Sequence, residues 1–166
     1  MPSYSGGPGA PAVPATRPPA MDMAVRLMQL GGLLSLIGVA LTFATKGQIE
    51  DEVTKQMREA KPDVTQSSID AAITFGLVFA VVLGLLGVAL WFWMASANGK
   101  GKSWARIVAT VFFVLSLISF LLSFAQAAPL LSRMLSIVSI LVGAAAVFLM
   151  YKKESSAFYA ASSGRM

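Results

Sequence analysis

Four long stretches of this chain carry no charged residue, and each is at least 18 residues long. They cover residues 27–45, 71–99, 107–132 and 134–151. An α-helix rises about 1.5 Å per residue and the hydrocarbon core of a bilayer is about 30 Å thick, so about 20 apolar residues cross it. The pattern predicts an all-α fold built as a four-helix transmembrane bundle.

The overall composition favours the same class. Hydrophobic residues make up 56% of the chain and charged residues 13%, whereas soluble domains carry about 25% charged residues. The apolar residues also fall in blocks instead of recurring at helical spacing among polar ones, which disfavours a water-soluble amphipathic bundle.

The net charge of +5 has two interpretations. Basic residues commonly flank membrane spans, where they set the orientation and contact anionic lipid headgroups. A nucleic-acid-binding surface would instead require a basic stripe interleaved with aromatic residues, and this sequence has none. The charge therefore predicts membrane lipids as partners and no nucleic acid.

The chain divides into three predicted parts. Residues 1–20 form a Pro/Gly-rich tail, which is predicted to be disordered because it lacks the apolar content needed to fold. Residues 21–151 form the transmembrane domain, with spans at about 25–45, 69–97, 104–125 and 131–151. Within this domain, residues 46–68 form an outer loop. The third part is a short C-terminal tail over residues 152–166.

The outer loop contains a pattern typical of a short amphipathic helix. Ile49, Val53 and Met57 recur every four residues, which places them on one face of a helix over residues 49–60 that ends before Pro62. This stripe is a candidate contact surface, lying on the membrane or over the mouth of the bundle.

Two helix ends are predicted from local motifs. Ser67 and Asp70 have the spacing of a capping box at the start of the second span, with Asp in place of Glu. Asn98 and Gly99 are predicted to end that span.

The basic residues predict the orientation. With both termini in the cytoplasm, eight basic residues lie inside and five outside, as the positive-inside rule expects. The inner set is Arg17, Arg26, Lys100, Lys102, Arg106, Lys152, Lys153 and Arg165. We therefore expect a multi-pass protein of the plasma membrane with cytoplasmic N- and C-termini.

Small residues recur at helical spacing in the spans. In the second span they are Gly76, Ala80, Gly84 and Gly87, close to the pattern that lets two helices approach closely in a bilayer. Packing within the bundle is the favoured interpretation. The alternative is that this face docks a protein partner or a second copy of the chain.

The residues that most catalytic and metal sites need are missing or badly placed. The chain has no cysteine and no histidine, which excludes Cys/His metal sites, thiol chemistry and a Ser/His/Asp triad. The spans also carry no ionisable residue of the kind that marks coupled transport. We predict no enzymatic activity and no cofactor.

The connection at residues 96–103 superficially resembles a phosphate-binding loop because it ends in Gly-Lys-Ser. It begins with Ser96 instead of glycine and joins two membrane spans, whereas the motif follows a strand in an α/β unit. Contact with anionic lipid headgroups fits it better. The candidate headgroup contacts are Lys100, Lys102, Arg106, Lys152 and Lys153.

Three segments carry a resemblance to other proteins. Residues 24–33 (AVRLMQLGGL), 90–108 (LWFWMASANGKGKSWARIV) and 155–159 (SSAFY) resemble small uncharacterised four-span membrane proteins of high-GC Gram-positive bacteria. The resemblance implies a bacterial plasma membrane and carries over no activity and no site residue.

These observations lead to one principal functional hypothesis and two alternatives. The principal hypothesis is a non-enzymatic accessory or scaffold protein that contacts a partner complex through its helices and outer loop. The first alternative is a small-solute or lipid-handling protein, or an oligomeric pore. The second is an envelope-stress sensor that works through a partner.

Overall fold

The computed structural model describes residues 16–124 and 130–163, and all regular secondary structure in these ranges is helical. The helices are α1 (Pro19–Ala44), α2 (Lys46–Ala60), α3 (Gln66–Gly99), α4 (Ser103–Ser123), α5 (Leu130–Met150) and α6 (Lys153–Ser163). Most of the predicted N-terminal tail lies outside the described residues.

Four of these helices confirm the predicted spans. α1, α3, α4 and α5 are long and apolar enough to cross a membrane. α3 has 34 residues, which corresponds to a length of about 51 Å at 1.5 Å per residue. Because the hydrocarbon core is about 30 Å thick, α3 is longer than a single crossing needs.

α1 packs on two of the other three spans. This helix runs along both α3 and α5, whereas α4 packs on α5 and on α3 but, among the described residues, not on α1. α2 packs on α1 and α3 at one end of the bundle, here called the α2 end. α6 contacts α1, α4 and α5 at the opposite end, here called the α6 end.

Most of the buried core lies at the α6 end. It joins the first turns of α1, the last turns of α3 and α5, the start of α4, and α6. Its members are Met21, Ala24, Val25, Met28, Met94, Ala95, Ala109, Ala146, Met150, Phe158 and Tyr159. Alanines let the helices approach closely and flexible methionines fill the irregular gaps between them, so this end is tightly closed.

Glycines place two helices of the bundle in close contact. A Cβ on Gly31 would lie 2.8 Å from the Trp91 ring, and one on Gly32 would lie 2.8 Å from the Phe92 ring. The missing side chains of α1 therefore make room for two large aromatic rings of α3. Close packing at small residues is what holds helices together where the hydrophobic effect does not act.

The end of α3 agrees with the predicted stop at Asn98-Gly99, because the helix ends at Gly99. The glycine in the left-handed conformation is Gly101, two positions later. The Gly101 N–H donates to the Asn98 carbonyl (2.9 Å) and the Lys102 N–H to the Ala97 carbonyl (3.2 Å). This is a Schellman motif, and Gly101 adopts the left-handed conformation that it requires, with φ of 69°.

The start of α3 differs from the prediction. Thr65 occupies the N-cap position in an extended conformation, and its hydroxyl oxygen accepts a hydrogen bond from the Ser68 N–H at 3.3 Å. The capping box predicted at Ser67 and Asp70 is therefore wrong. The Asp70 carboxylate instead accepts a hydrogen bond from the side-chain amide of Gln66 within the first turn (2.9 Å).

Two segments outside the spans are also helical. α2 begins directly after Thr45, three residues before the start predicted for the loop helix. The C-terminal segment, predicted as a tail, contains α6 over Lys153–Ser163. The reason is that Phe158 and Tyr159 bury their rings against the core, with exposed fractions of 8% and 2%.

Candidate functional site

The structure has a cleft within its membrane-spanning part, between α1 and α4. It arises because these two helices do not pack on each other, while α5 packs on both of them. The cleft has a volume of about 670 Å³. It is lined by Leu34, Ser35, Gly38, Leu83, Phe112, Leu115, Ser116, Ser119, Phe120, Ser123, Leu135, Ser136, Ser139 and Ile140.

A second, smaller cavity, here called the deep cavity, lies beside the cleft toward the α6 end. It has a volume of about 220 Å³. Phe112, Ser116, Ser139 and Ile140 line both spaces, so the two lie side by side. The rest of the lining is Met28, Gly87, Leu90, Trp91, Met94, Ala109, Phe113, Gly143, Ala146, Val147 and Met150.

Several serines of the cleft use their hydroxyl protons within their own helices. Ser35 donates to the Gly31 carbonyl (3.0 Å), and Ser139 donates to the Leu135 carbonyl (2.9 Å). Ser123 and Ser136 make equivalent bonds to Phe120 and Ser132. These hydroxyls present few free donors, so the cleft is less polar than its serine content suggests.

A buried hydrogen-bonded pair closes the α6 end. The Tyr159 hydroxyl donates to Asn98 Oδ1 at 2.6 Å, and Asn98 Nδ2 donates to the Met94 carbonyl at 2.9 Å. Burial raises the pKa of the Tyr159 phenol above its ordinary value of 10.0. The phenol therefore stays protonated, as its donor role requires.

Arg106 lies beside this pair. Its guanidinium carbon is 4.7 Å from the Tyr151 ring centroid and 5.1 Å from that of Tyr159. Its Nη1 donates to the Ser156 hydroxyl at 3.1 Å. These cation–π and hydrogen-bonding interactions connect α4 to α6 and to Tyr151, which directly follows α5.

The predicted headgroup contacts all lie at the α6 end, in two different environments. Lys100, Lys102, Lys152 and Lys153 are exposed, whereas Arg106 is half-buried against the tyrosines. The four lysines remain available to an anionic surface. The contacts of Arg106 give it a structural role as well.

The four residues of the predicted small-residue face of α3 lie in different environments in the structure. Gly84 packs on α1, because a Cβ there would lie 2.5 Å from Val39 Cγ2. Gly87 lines the deep cavity. Gly76 and Ala80 are exposed, and nothing lies within 4 Å of the Cβ position of Gly76.

The predicted loop stripe, Ile49, Val53 and Met57, is half-buried on α2. Arg58 of the same helix donates to the Gln66 side chain of α3 at 3.0 Å. Within residues 16–124 and 130–163, no three Asp or Glu side chains lie close enough together to hold a metal ion.

Sequence analysis missed Asn98 and Tyr159. Asn98 was assigned to a helix stop and Tyr159 to a tail, although both are fully or almost fully buried. An amide next to an apolar span was the available signal for the first. No local pattern connects two residues that are 61 positions apart.

Comparisons of this chain with family models, with curated proteins and with solved structures gave no match.

Proposed function

We propose that the protein is a non-enzymatic accessory or scaffold protein of the plasma membrane, which binds a partner through an exposed face of α3. The observation that carries this proposal is the unpacked surface around Gly76 and Ala80, on the half of α3 nearer the α2 end. Both residues are exposed, and the Cβ position of Gly76 is empty.

The small side chains of Gly76 and Ala80 make this surface a groove. A ridge of large apolar side chains borders it. Phe75 and Phe79 stack with ring centroids 5.9 Å apart, and their exposed fractions are 72% and 52%. Leu83 and Leu86 continue the ridge along the helix, each about half exposed. On a helix of 3.6 residues per turn these side chains lie next to Gly76 and Ala80 on one side of α3.

A ridge beside a groove of small residues is the surface that helices use to pack on one another. The bundle itself uses such packing where Gly84 receives Val39. The same surface at Gly76 has no intramolecular neighbour, and this supports a partner helix as its occupant.

The test is a tagged pull-down from native membranes extracted in a detergent-free polymer, followed by mass spectrometry. A partner present in stoichiometric amounts is expected with the parent chain. Gly76→Leu should reduce its recovery, because the new side chain fills the groove.

Ala89→Leu is the matched control. Ala89 is an exposed small residue of α3 on the side away from Gly76, so this substitution should leave recovery unchanged. Recovery of the chain alone, or equal loss of the partner in both variants, would refute the proposed docking face.

A further inference from the structure

We propose that the cleft between α1 and α4 binds one acyl chain of an anionic membrane lipid, with the lipid headgroup at Arg133. This goes beyond a scaffold role, because it assigns a ligand class and a binding residue to the cleft, which adjoins the proposed partner face at Leu83.

The first argument is the position of Arg133 next to the lining residues of the cleft. Arg133 lies one turn before Ser136, a lining residue of α5. Its guanidinium carbon is 4.8 Å from the ring centroid of Phe124, which directly follows the lining residue Ser123 at the end of α4. A half-buried positive charge therefore sits where α4 and α5 meet at the α2 end.

The second argument is electrostatic. Arg133 lies in the first turn of α5, and this turn contains no acidic residue. The N-terminus of a helix carries a partial positive charge, which disfavours a cation and favours an anion. A lipid phosphate at this point would interact favourably with both the guanidinium and the helix end.

The third argument is the length of the apolar path. Half of the hydrocarbon core is about 15 Å deep, which equals ten residues of a helix parallel to the chain. Ten residues after Arg133 is Gly143, which lines the deep cavity. A Cβ there would lie 3.0 Å from the Phe113 ring and 3.7 Å from Trp91 Cη2. Both rings line this cavity, so a chain anchored at Arg133 would end beside Phe113 and Trp91.

The fourth argument is the size and polarity of the path. The deep cavity has a volume of about 220 Å³ and is lined almost entirely by apolar side chains. An apolar space of this kind suits a hydrocarbon chain. The hydroxyls of Ser35, Ser136 and Ser139 already donate to their own helices, so a hydrocarbon chain leaves these donors satisfied.

The experiment uses the full chain with Trp91 as its single tryptophan. Trp93 and Trp104 are 52% and 41% exposed, so Trp93→Phe and Trp104→Phe remove them with little loss of packing. The protein is placed in phosphatidylcholine vesicles that contain one brominated lipid. This lipid is either phosphatidylglycerol or phosphatidylcholine, and in both cases the bromine is near the end of the acyl chain. Bromine in contact with Trp91 quenches its fluorescence.

The brominated anionic lipid should reach half-maximal quenching at about a fivefold lower fraction than the brominated zwitterionic lipid. This factor corresponds to the attraction of one arginine to an anionic lipid surface. Arg133→Gln should abolish the difference, and Arg133→Lys should retain it. Ser136→Leu, which fills the cleft, should reduce quenching by both lipids.

Lys55→Gln is the matched control, because Lys55 is an exposed basic residue at the same α2 end that does not line the cleft. It should leave the anionic preference intact. Equal quenching by the two lipids in the parent chain, or an unchanged preference in Arg133→Gln, would overturn the proposal. Absence of quenching by either lipid, expected if a second copy filled the cleft, would overturn it as well.

Discussion

At the scale of single residues, one buried hydrogen bond connects distant parts of the chain. Tyr159 reaches across from α6 to Asn98 in the last turn of α3, and both side chains are at most 2% exposed. The Met21 and Met28 sulfur atoms lie within 4 Å of this pair and complete its surroundings. A buried polar pair of this kind is stabilising only while both partners are present.

Tyr159→Phe should lower the free energy of unfolding by about 1–3 kcal/mol, because it leaves Asn98 Oδ1 buried without its donor. Tyr151→Phe is the matched control. Tyr151 is 50% exposed, and its hydroxyl only meets that of Thr110, at 3.2 Å, so a change within about 0.5 kcal/mol is expected. Denaturant titration in nanodiscs, followed by circular dichroism, measures both. Equal losses would show that the Asn98 bond is not special.

The same residue predicts a dependence on pH. Burial raises the pKa of Tyr159 in the folded chain above the ordinary value of 10.0. The unfolded chain therefore loses this proton first, so stability is fully present below pH 10 and falls as the pH rises above it. The stability advantage of the parent chain over Tyr159→Phe should be constant between about pH 8 and pH 10 and should shrink between about pH 10 and pH 12. A constant difference across the latter range would contradict the prediction.

Two glycines of α1 differ in how much space their Cβ positions have. A Cβ on Gly31 would meet the Trp91 ring at 2.8 Å, whereas one on Gly38 would lie 3.5 Å from Leu135, an ordinary contact. Gly31→Ala should therefore destabilise the protein by about 1–3 kcal/mol through overpacking, while Gly38→Ala should be tolerated. Thermal unfolding followed by circular dichroism distinguishes them, and equal melting temperatures would argue against tight α1–α3 packing.

At the scale of elements, the structure depends on how α3 ends and where α6 docks. The left-handed Gly101 turns the chain out of α3 and into α4. A Cβ at Gly101 would clash with the Ser162 side chain and approach the Phe158 ring at 3.0 Å. The turn after α3 and the packing of α6 therefore both depend on Gly101, which has no side chain.

Gly101→Ala should loosen α6, because alanine is strained at positive φ and its methyl group would push against Ser162. The chain has no native cysteine, so Ser155→Cys provides a clean reporter at a fully buried position of α6. Maleimide labelling of this cysteine should accelerate in Gly101→Ala. It should stay slow in the control Gly47→Ala, where nothing lies within 4 Å of the new methyl group. Unchanged labelling in Gly101→Ala would refute this dependence.

At the scale of the whole molecule, the two ends of the bundle differ in packing and charge. The α6 end is closed by the core and carries basic residues on α1, α4 and α6, before α1, and in the α3–α4 and α5–α6 connections. The α2 end is more open, because the α1–α4 cleft extends to it. Basic residues favour the cytoplasmic side of a membrane, which supports the proposal that the α6 end and both termini are cytoplasmic.

Single-cysteine labelling tests this orientation. An impermeant maleimide should label Ser67→Cys, an exposed position at the α2 end, in intact cells. Ser5→Cys should react only after the cells are permeabilised, because it lies in the N-terminal segment. Labelling of Ser5→Cys in intact cells would reverse the proposed orientation.

The candidate sites were less predictable than the spans. Gly76, Ala80, Gly84 and Gly87 were predicted to act as one face, but only the three-dimensional arrangement shows that Gly84 packs on α1 while Gly76 is left uncovered. Spacing along a helix defines a face but does not indicate which neighbour lies against it. The role of Arg133 likewise depends on Phe124 of a different helix.

The sequence by itself determined that the chain is helical, how many spans it has and roughly where each begins and ends. The physical reason is that a spanning helix satisfies its own backbone hydrogen bonds and needs about 20 consecutive apolar residues, so this constraint is local and is visible as runs of apolar residues. Tertiary structure alone decided that α4 lies apart from α1, that a cleft opens between them, and that the C-terminal segment docks through Tyr159. These features depend on the close fit of side chains from distant segments, which no local pattern records.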